Sequence, residues 1–503
     1  MDTNLIYVQH LYNQSTFGAS QRQKLFDYYV GNESDMLRYL KKALLKTFDG
    51  LDIAEFQLDY INITKKIVNQ LSVVYTLPAA RSILTEQTVD NIKNYVIDNN
   101  LTDYYNGIIP TAINTVDKMA NRYGKLFNTS ITQVSFDKAS QKIRYRVIGS
   151  ELFDVITDND DPYKLVQLSY DKYFYNDSTG KEEKWNVVWT NENHYRREVL
   201  EMGSSISQLN RGASGKFTTY GDPTPIGSNS EMINPYGVIT FAVNRIEQQG
   251  DFWGTGQCDL VNGNEQINFF LTDLANGTIM QTWGQMVLTN SGYKGSVRLG
   301  VKHPIKLDNN DPAVNMTAEF INANPLIDQI RESIDWKIKL IAASKGLNPN
   351  SFLQEAKATS GYSKIIDSLE QMEIRRDDIE PCRQYEDDRF NITRAVNNYH
   401  FRTPNADGSK NNLMQEIPDD AYLQVDFAEI SIEQTIDEKI KEQDYKLSKN
   451  LISILDIARE QNPDLTDDEL EKTILENKSI NERIMKAVAE VDTQKEVDAG
   501  FFV

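Results

Sequence analysis

The sequence predicts an α+β chain built of several domains or lobes. Three observations carry this. The chain has 503 residues, against about 100–200 for a usual domain. Hydrophobic residues make up 40% and aromatics 10%, with 25 Tyr and 20 Phe, which is enough to build packed cores. The hydrophobic period also changes along the chain, from helical spacing to strand alternation and back.

Residues 20–127 read as helical. The clearest stretch runs from Leu58 to Tyr75, where Ile63, Ile67, Leu71 and Val74 recur at helical spacing and Pro78 closes the run. A second helix is expected over Thr88–Asp98. A third is expected over Tyr105–Tyr123, with Pro110 near its start and Gly124 as its stop. Residues 128–200 change character. Arg144–Ile148, Tyr163–Tyr175 and Trp185–Trp189 are rich in strand formers, and alternation puts Trp185, Val187 and Trp189 on one face. Turn clusters at Asp158–Pro162 and Asn176–Gly180 divide these runs, which predicts a β-meander. Residues 203–236, rich in Gly, Ser, Asn and Pro, read as a long loop before a short strand at Val238–Val243.

Two helices with a non-helical insert follow. The first covers about Gln257–Gln281, with Ile267, Phe270, Leu271 and Leu274 apolar. The second covers Pro325–Ser344, with Ile327, Ile330, Ile334, Ile338 and Ile341 at spacings of three and four. Residues 283–320 between them look β-rich, as in Met286-Val287-Leu288 and Val297-Arg298-Leu299. Residues 346–362 read as a second loop. A long helix is expected over Tyr362–Tyr399, kinked or split at Pro381. A strand is expected at Tyr422–Phe427. From Ser431 to about Ala489 the chain reads as charged helices, with a capping box at Ser431–Gln434, a break at Asn462-Pro463 and a cap at Thr466–Glu469.

Charge and motifs narrow the function. A net charge of −20 argues against a surface that grips nucleic acid tightly, since that needs clustered Lys and Arg. It is compatible with a surface past which DNA slides, and equally with acidity that only keeps the chain soluble. Cys258 and Cys382 form no metal-binding or disulfide pattern, and four histidines (His10, His194, His303, His400) do not suggest a His-rich metal site. Synthesis in a reducing cytoplasm fits. Met1–Gln9 does not read as a signal peptide, and no run of about 18 apolar residues predicts a membrane span.

Gly212–Thr218 resembles a phosphate loop but lacks the Ser or Thr directly after Gly-Lys, so it reads as a loop. Asp158–Asp161 and Asp308–Asp311 read as turns, without the glycine and terminal glutamate of a calcium loop. His194 and His303 stand alone and read as surface or packed side chains. No common catalytic signature occurs, so no cofactor, metal or catalytic residue is assigned and a structural role is expected. Lys337, Lys339, Lys345, Lys357 and Lys364 lie on or beside the second long helix and its loop. They read either as a solvated face or as weak phosphate contacts.

The order of these elements resembles the portal family of tailed bacteriophages, nearest to the siphophage type. The run Tyr60-Ile61-Asn62-Ile63-Thr64-Lys65-Lys66-Ile67-Val68-Asn69-Gln70-Leu71, ending in Tyr75-Thr76-Leu77-Pro78, resembles a portal helix and the short element that closes it. Asn234-Pro235-Tyr236-Gly237-Val238-Ile239-Thr240-Phe241 resembles the strand leading into the stem, although that strand's usual later proline is missing.

The resemblance covers about 450 residues and implies a portal-like subunit with an α/β wing, a helical stem, a β-rich clip and a helical crown. Its boundaries fall at 1–256 (wing), 257–282 (stem), 283–320 (clip), 321–345 (stem), 346–362 (tunnel loop), 363–430 (wing with the long kinked helix) and 431–503 (crown). It implies a homo-oligomeric ring, typically of twelve subunits, at the capsid vertex of a virion. Double-stranded DNA would pass through it without sequence readout during packaging and ejection. Partners would be the terminase large subunit, head-completion or adaptor proteins, and the major capsid or scaffolding protein, with no membrane. Lys337, Lys345, Lys357 and Lys364 would then be channel candidates, and Asn348, Asn350, Ser351, Thr359, Ser360 and Gly361 tunnel-loop candidates. Two other readings stay open: a metal-dependent hydrolase using carboxylates near Asp154, Asp158 and Asp160, and another virion adaptor or minor capsid protein.

Overall fold

The computed structural model describes residues 18–47, 56–89, 92–176, 180–202, 217–226, 231–282, 285–289, 317–321, 326–352, 361–403, 414–428, 443–449, 451–461 and 469–484. It is α+β, and it divides into two compact units, residues 1–358 with 366–429 and residues 359–365 with 430–503.

The larger unit opens with helices α1 (18–30) and α2 (Glu33–Thr47). Only Thr64–Leu71 of the expected helix over 58–75 is α-helical (α3), followed by a 3-10 turn at Val74–Thr76. Residues 57–62 are not helical because their backbone bonds go elsewhere, as set out below, and Ile63, already in helical φ/ψ, caps α3. The expected helix at Thr88–Asp98 is a correction. β1 (Ala79–Val89) and β2 (Ile92–Ile97) form an antiparallel pair there, in register from Leu84 opposite Ile97 to Val89 opposite Ile92. Thr85, Thr88, Val89, Ile92, Val96 and Ile97 are β-branched, which favours strands.

The third expected helix begins earlier, and it is two helices. α4 (Asn99–Ile108) is capped by the Asp98 carboxylate, which accepts from the Leu101 N–H at 3.0 Å. Pro110 separates it from α5 (Ile113–Phe127). Gly124 does not stop α5. It allows close approach, because a Cβ there would stand 2.7 Å from the Asn244 Nδ2. The helix ends at Asn128, whose φ of 70° sits beside a reciprocal pair of bonds with Glu247, each 2.9 Å.

The expected meander forms as β3 (Thr129–Asp137), β4 (Lys142–Ile148), β5 (Phe153–Thr157), β6 (Leu165–Asn176), β7 (Lys181–Thr190) and β8 (His194–Met202), but it is split between two sheets. The expected loop at 203–236 also contributes β9 (Phe217–Tyr220) and β10 (Thr224–Pro225), both paired with β8. The strand expected at Val238–Val243 is β11 (Phe241–Arg245) and pairs with β3. One sheet therefore runs β11-β3-β4, and the other runs β10-β8-β7-β6-β5.

Helix α6 (Cys258–Thr282), the strand pair β12 (Gln285–Thr289) and β13 (Thr317–Ile321), and helix α7 (Ile327–Ser344) follow in the expected order. α8 (Gly361–Arg402) is a single helix of 42 residues that runs through Pro381 without splitting. β14 (Tyr422–Phe427) pairs with β1, giving a sheet of order β14-β1-β2. The smaller unit holds the charged helices α9 (443–448), α10 (Ile454–Gln461) and α11 (469–484). The cap and break signals at Ser431–Gln434, Asn462-Pro463 and Thr466–Asp468 lie outside the described residues.

Among the described residues, the three largest apolar cores hold the larger unit, with two smaller clusters around Tyr75 and Ala120. The first joins α1–α3 to α6 and α7 through Tyr28, Met36, Ile67, Leu260, Ile267 and Ile338. The second lies under β1 and against α8, with Ile83, Tyr105, Val134, Phe390 and Val396. The third fills the space between the two meander sheets with Ile131, Phe153, Leu168, Trp189, Phe241 and Phe252. Beside the second core is a buried ionic cluster. Arg81 of β1 and Arg389 of α8 each bond both Asp117 of α5 and Glu386 of α8, at 2.5–2.6 Å. Tyr75 adds a 3.0 Å bond to Glu386.

Candidate functional site

The feature that the sequence singled out is the α6–α7 hairpin. The helices run antiparallel, since Asp259 meets Lys345, Gly263 meets Ile341 and Gln266 meets Lys337. A Cβ on Gly263 would stand 2.7 Å from the Ile341 Cδ1, so glycine sets how closely the helices approach. The apolar spacing of α7 turns Ile334, Ile338 and Ala342 inward. Its outer side exposes Trp336 (63%) and Leu340 (50%), which stand one helical turn apart, and Leu326 (59%) is exposed at the cap before the helix. A tryptophan exposed to that extent in the middle of a helix is uncommon in a free surface.

Two of the lysines flagged by the sequence, Lys345 and Lys337, are used within the hairpin. Lys345, 17% exposed, pairs with Asp259 at 2.6 Å. Lys337 bonds the Gln266 side chain and stands 5.7 Å from the Phe270 ring centroid. Lys339 is half-buried on α7. Lys357 lies outside the described residues. Lys364 belongs to the first turn of α8. Asn348 precedes a 3-10 turn over Pro349–Phe352 that contains Asn350 and Ser351. Gly361 opens α8. Thr359 and Ser360 lie outside the described residues.

Sequence reasoning missed the polar face of α6. Asn264, Asn268, Thr272 and Asn276 recur every four residues and bind the backbone of residues 57–64. The only available signal was that i, i+4 spacing, which was overshadowed by Ile267, Phe270, Leu271 and Leu274.

Two carboxylates of the hydrolase reading are held in ion pairs. Asp154 pairs with Arg22 at 3.0 Å, and Asp158 pairs with Lys164 at 3.0 Å while accepting from the Asp160 N–H. Among the described residues there is no group of three or more His, Cys, Asp or Glu placed to hold a metal. An open groove of about 720 Å³ lies along α8 at Pro381, lined by Tyr163, Arg245, Gln384 and Asp388 among others. Burial, with Asp387 alongside, pushes the Asp388 carboxyl up to about 6. The Arg245 guanidinium lies over the Tyr163 ring at 4.6 Å.

His194 and His400 are packed rather than poised for chemistry. His194 stacks on Trp189 at 3.5 Å, and burial lowers it to about 4. His400 stacks on Phe136 at 4.2 Å, and burial together with Lys138 lowers it to about 4. A depressed histidine contributes stability that is fully present above its unfolded pKa of about 6.5 and is lost as the pH falls towards the folded value. His194 is part-exposed, so solvent screening cuts its contribution to about 1–2 kcal/mol. His194→Phe, which keeps the stack, is expected to flatten the fall in stability between pH 6.5 and 4 by that amount. Urea denaturation at several pH values checks this.

No protein-family model and no curated protein matches the chain. Among solved structures it is similar to a chain of the "Neck of empty GTA particle computed with C6 symmetry", at 8% identity and a TM-score of 0.36, over 88% of this chain and 93% of that one. No described helix is long and apolar enough to cross a membrane.

Proposed function

We propose that the chain is a portal subunit, a structural component of a phage-type virion that assembles into a ring. The ring passes double-stranded DNA at the capsid vertex during packaging and ejection. The observation that carries this reading is the α6–α7 hairpin, with β12–β13 between its helices and an exposed apolar pair, Trp336 and Leu340, on its outer side. A ring contact is heterologous, so each subunit needs two different complementary patches. The β14-β1-β2 sheet offers a second one, where Leu84, Tyr95, Ile97 and Tyr422 share a face by register and the last three are 47–52% exposed. Stacked hairpins would make a stiff channel wall, and pairing Lys337 and Lys345 within the hairpin would leave that wall with weak phosphate contact.

In this reading β12–β13 and residues 290–316 form the clip that docks the packaging ATPase and later the head-completion proteins. The subunit itself carries no catalysis. Residues 346–361 approach the DNA, and the wing meets capsid or scaffolding protein.

Negative-stain imaging of the full chain with its capsid partners tests the proposal. A wide-brimmed ring with a stem is expected; a monodisperse monomer overturns it, and a virion adaptor would lack the stem. Trp336→Glu puts a charge where a neighbouring subunit would bury an aromatic anchor. It is expected to cost more than about 2 kcal/mol per interface, seen as loss of rings in analytical ultracentrifugation with folding unchanged by circular dichroism.

A further inference from the structure

Residues 57–62 cross the polar face of α6 as a non-helical chain that ends at Ile63, the cap of α3 in helical φ/ψ, and the bonds from 57–63 to α6 run between its side chains and their backbone. The Asn276 amide both accepts from the Gln57 N–H (3.0 Å) and donates to the Gln57 carbonyl (2.8 Å). The Thr272 hydroxyl lies 3.2 Å from both the N–H and the carbonyl of Asp59. Asn268 accepts from the Ile61 N–H (2.9 Å), and Asn264 donates to the Ile61 carbonyl (2.7 Å). Asn264 also accepts from the N–H groups of Ile63 and Thr64, at 3.0 and 3.2 Å.

The two periods match. Four helical residues rise about 6.0 Å and, measured along an i, i+4 row tilted about 26° to the axis, span about 6.7 Å. Two residues of extended chain span about 6.6–6.8 Å. Each odd-numbered residue of the segment therefore meets one polar side chain of the helix, while residues 58, 60 and 62 turn their N–H groups the other way.

The row is not uniform. Asn264, Asn268 and Thr272 are at most 1% exposed, and the bonds to Ile63 and Thr64 are buried. The bonds between Gln57 and Asn276 are exposed to solvent. Water can replace an exposed hydrogen bond at little net cost, whereas a buried one cannot be broken without stranding polar groups.

We propose that residues 57–63 are a graded strap, zipped onto α6 through the backbone, which opens stepwise from Gln57 while Ile61 and Ile63 stay locked. The strap ties the N-terminal helices to α6, and its loose end lies toward the end of α6 that leads into β12. The zipper reads backbone alone, so the strap's own side chains remain free for packing, as Tyr60 does against the first core. The device does not depend on the portal reading.

Residue-resolved amide hydrogen exchange on the full chain tests it. The amides of Asp59, Ile61 and Ile63 should exchange at least about tenfold more slowly than those of Leu58, Tyr60 and Asn62, with protection rising from Gln57 to Ile63. Asn276→Ala, at the exposed end and so compatible with folding, should speed exchange at Gln57 by about tenfold and leave Ile63 unchanged. Equal protection along the segment, no odd–even alternation, or acceleration of all four odd amides together by Asn276→Ala would overturn the proposal.

Discussion

Arg389→Met is expected to destabilise the larger unit by about 3–5 kcal/mol. Arg389 is 0% exposed and holds Asp117 and Glu386, each at 2.6 Å, while Arg81 bonds the same two carboxylates from the other side. The cluster is neutral as built, with two guanidiniums facing two carboxylates. Removing one guanidinium leaves a net buried negative charge whose desolvation nothing offsets. The Arg389 guanidinium also lies 4.8–4.9 Å from the rings of Tyr145 and Tyr385, so methionine loses cation–π contact as well as charge.

Denaturant unfolding of the variant against the parent chain measures the loss. The double variant Arg389→Met with Glu386→Gln restores neutrality and should lose less than the sum of the single changes, by about 1–3 kcal/mol. Additive costs would mean that the four groups act independently. Burial raises the Glu386 carboxyl, but Arg389 and Arg81 outweigh it and hold it at about 2. Its stabilising share is therefore complete above the unfolded carboxyl range near 4.5 and fades as the pH falls from there towards 2.

Much of the element order was legible because periodicity records which side of an element is buried. The spacing of Ile334 and Ile338 marks the inner side of α7, whereas Asn186, Val187, Val188 and Trp189 are all buried, so β7 was legible from its strand-forming residues rather than from one buried side. The misreadings have local causes. Thr88–Asp98 carries apolar residues that fit a helical face, but its β-branched residues fit a hairpin better, and tertiary pairing with β14 settles the matter. Leu58–Asn62 was read as helix and yet stays non-helical, because α6 supplies hydrogen-bond partners that compete with helix formation. Pro381 was expected to kink or split its helix, and the helix is not split there: it continues through to Tyr385, Phe390 and Val396 in buried packing.

The candidate site was legible as a helix–insert–helix segment, but the roles of its lysines were not. Whether Lys345 faces DNA or Asp259 depends on a partner 86 residues away in the chain. The cluster of Arg81, Asp117, Glu386 and Arg389 was invisible for the same reason. Its members come from β1, α5 and α8, and none belongs to a motif.

Asn264→Leu is the second change expected to have a large effect, about 3–5 kcal/mol, because one amide satisfies a whole junction. Its oxygen accepts from the Ile63 and Thr64 N–H groups and from the Thr64 hydroxyl, and its nitrogen donates to the Ile61 carbonyl. The first two N–H groups stand at the start of α3, which has no side-chain cap of its own from Ile63. Asn264 thus caps α3 from another helix, doing through space what an N-cap residue does locally. Leucine keeps similar bulk but strands two buried backbone donors and removes the partner of the part-buried Ile61 carbonyl. Asn264→Asp separates bonding from shape. The carboxylate can still accept from both N–H groups and loses the donations to the Ile61 carbonyl and to the Asn268 side chain, so it should retain most of the α3 cap but carry the cost of a buried charge. A loss for Asn264→Leu below about 1 kcal/mol in thermal or urea unfolding would mean that α3 finds its cap elsewhere and that the junction between α3 and α6 is held by Ile67, Leu260 and Ile267 alone.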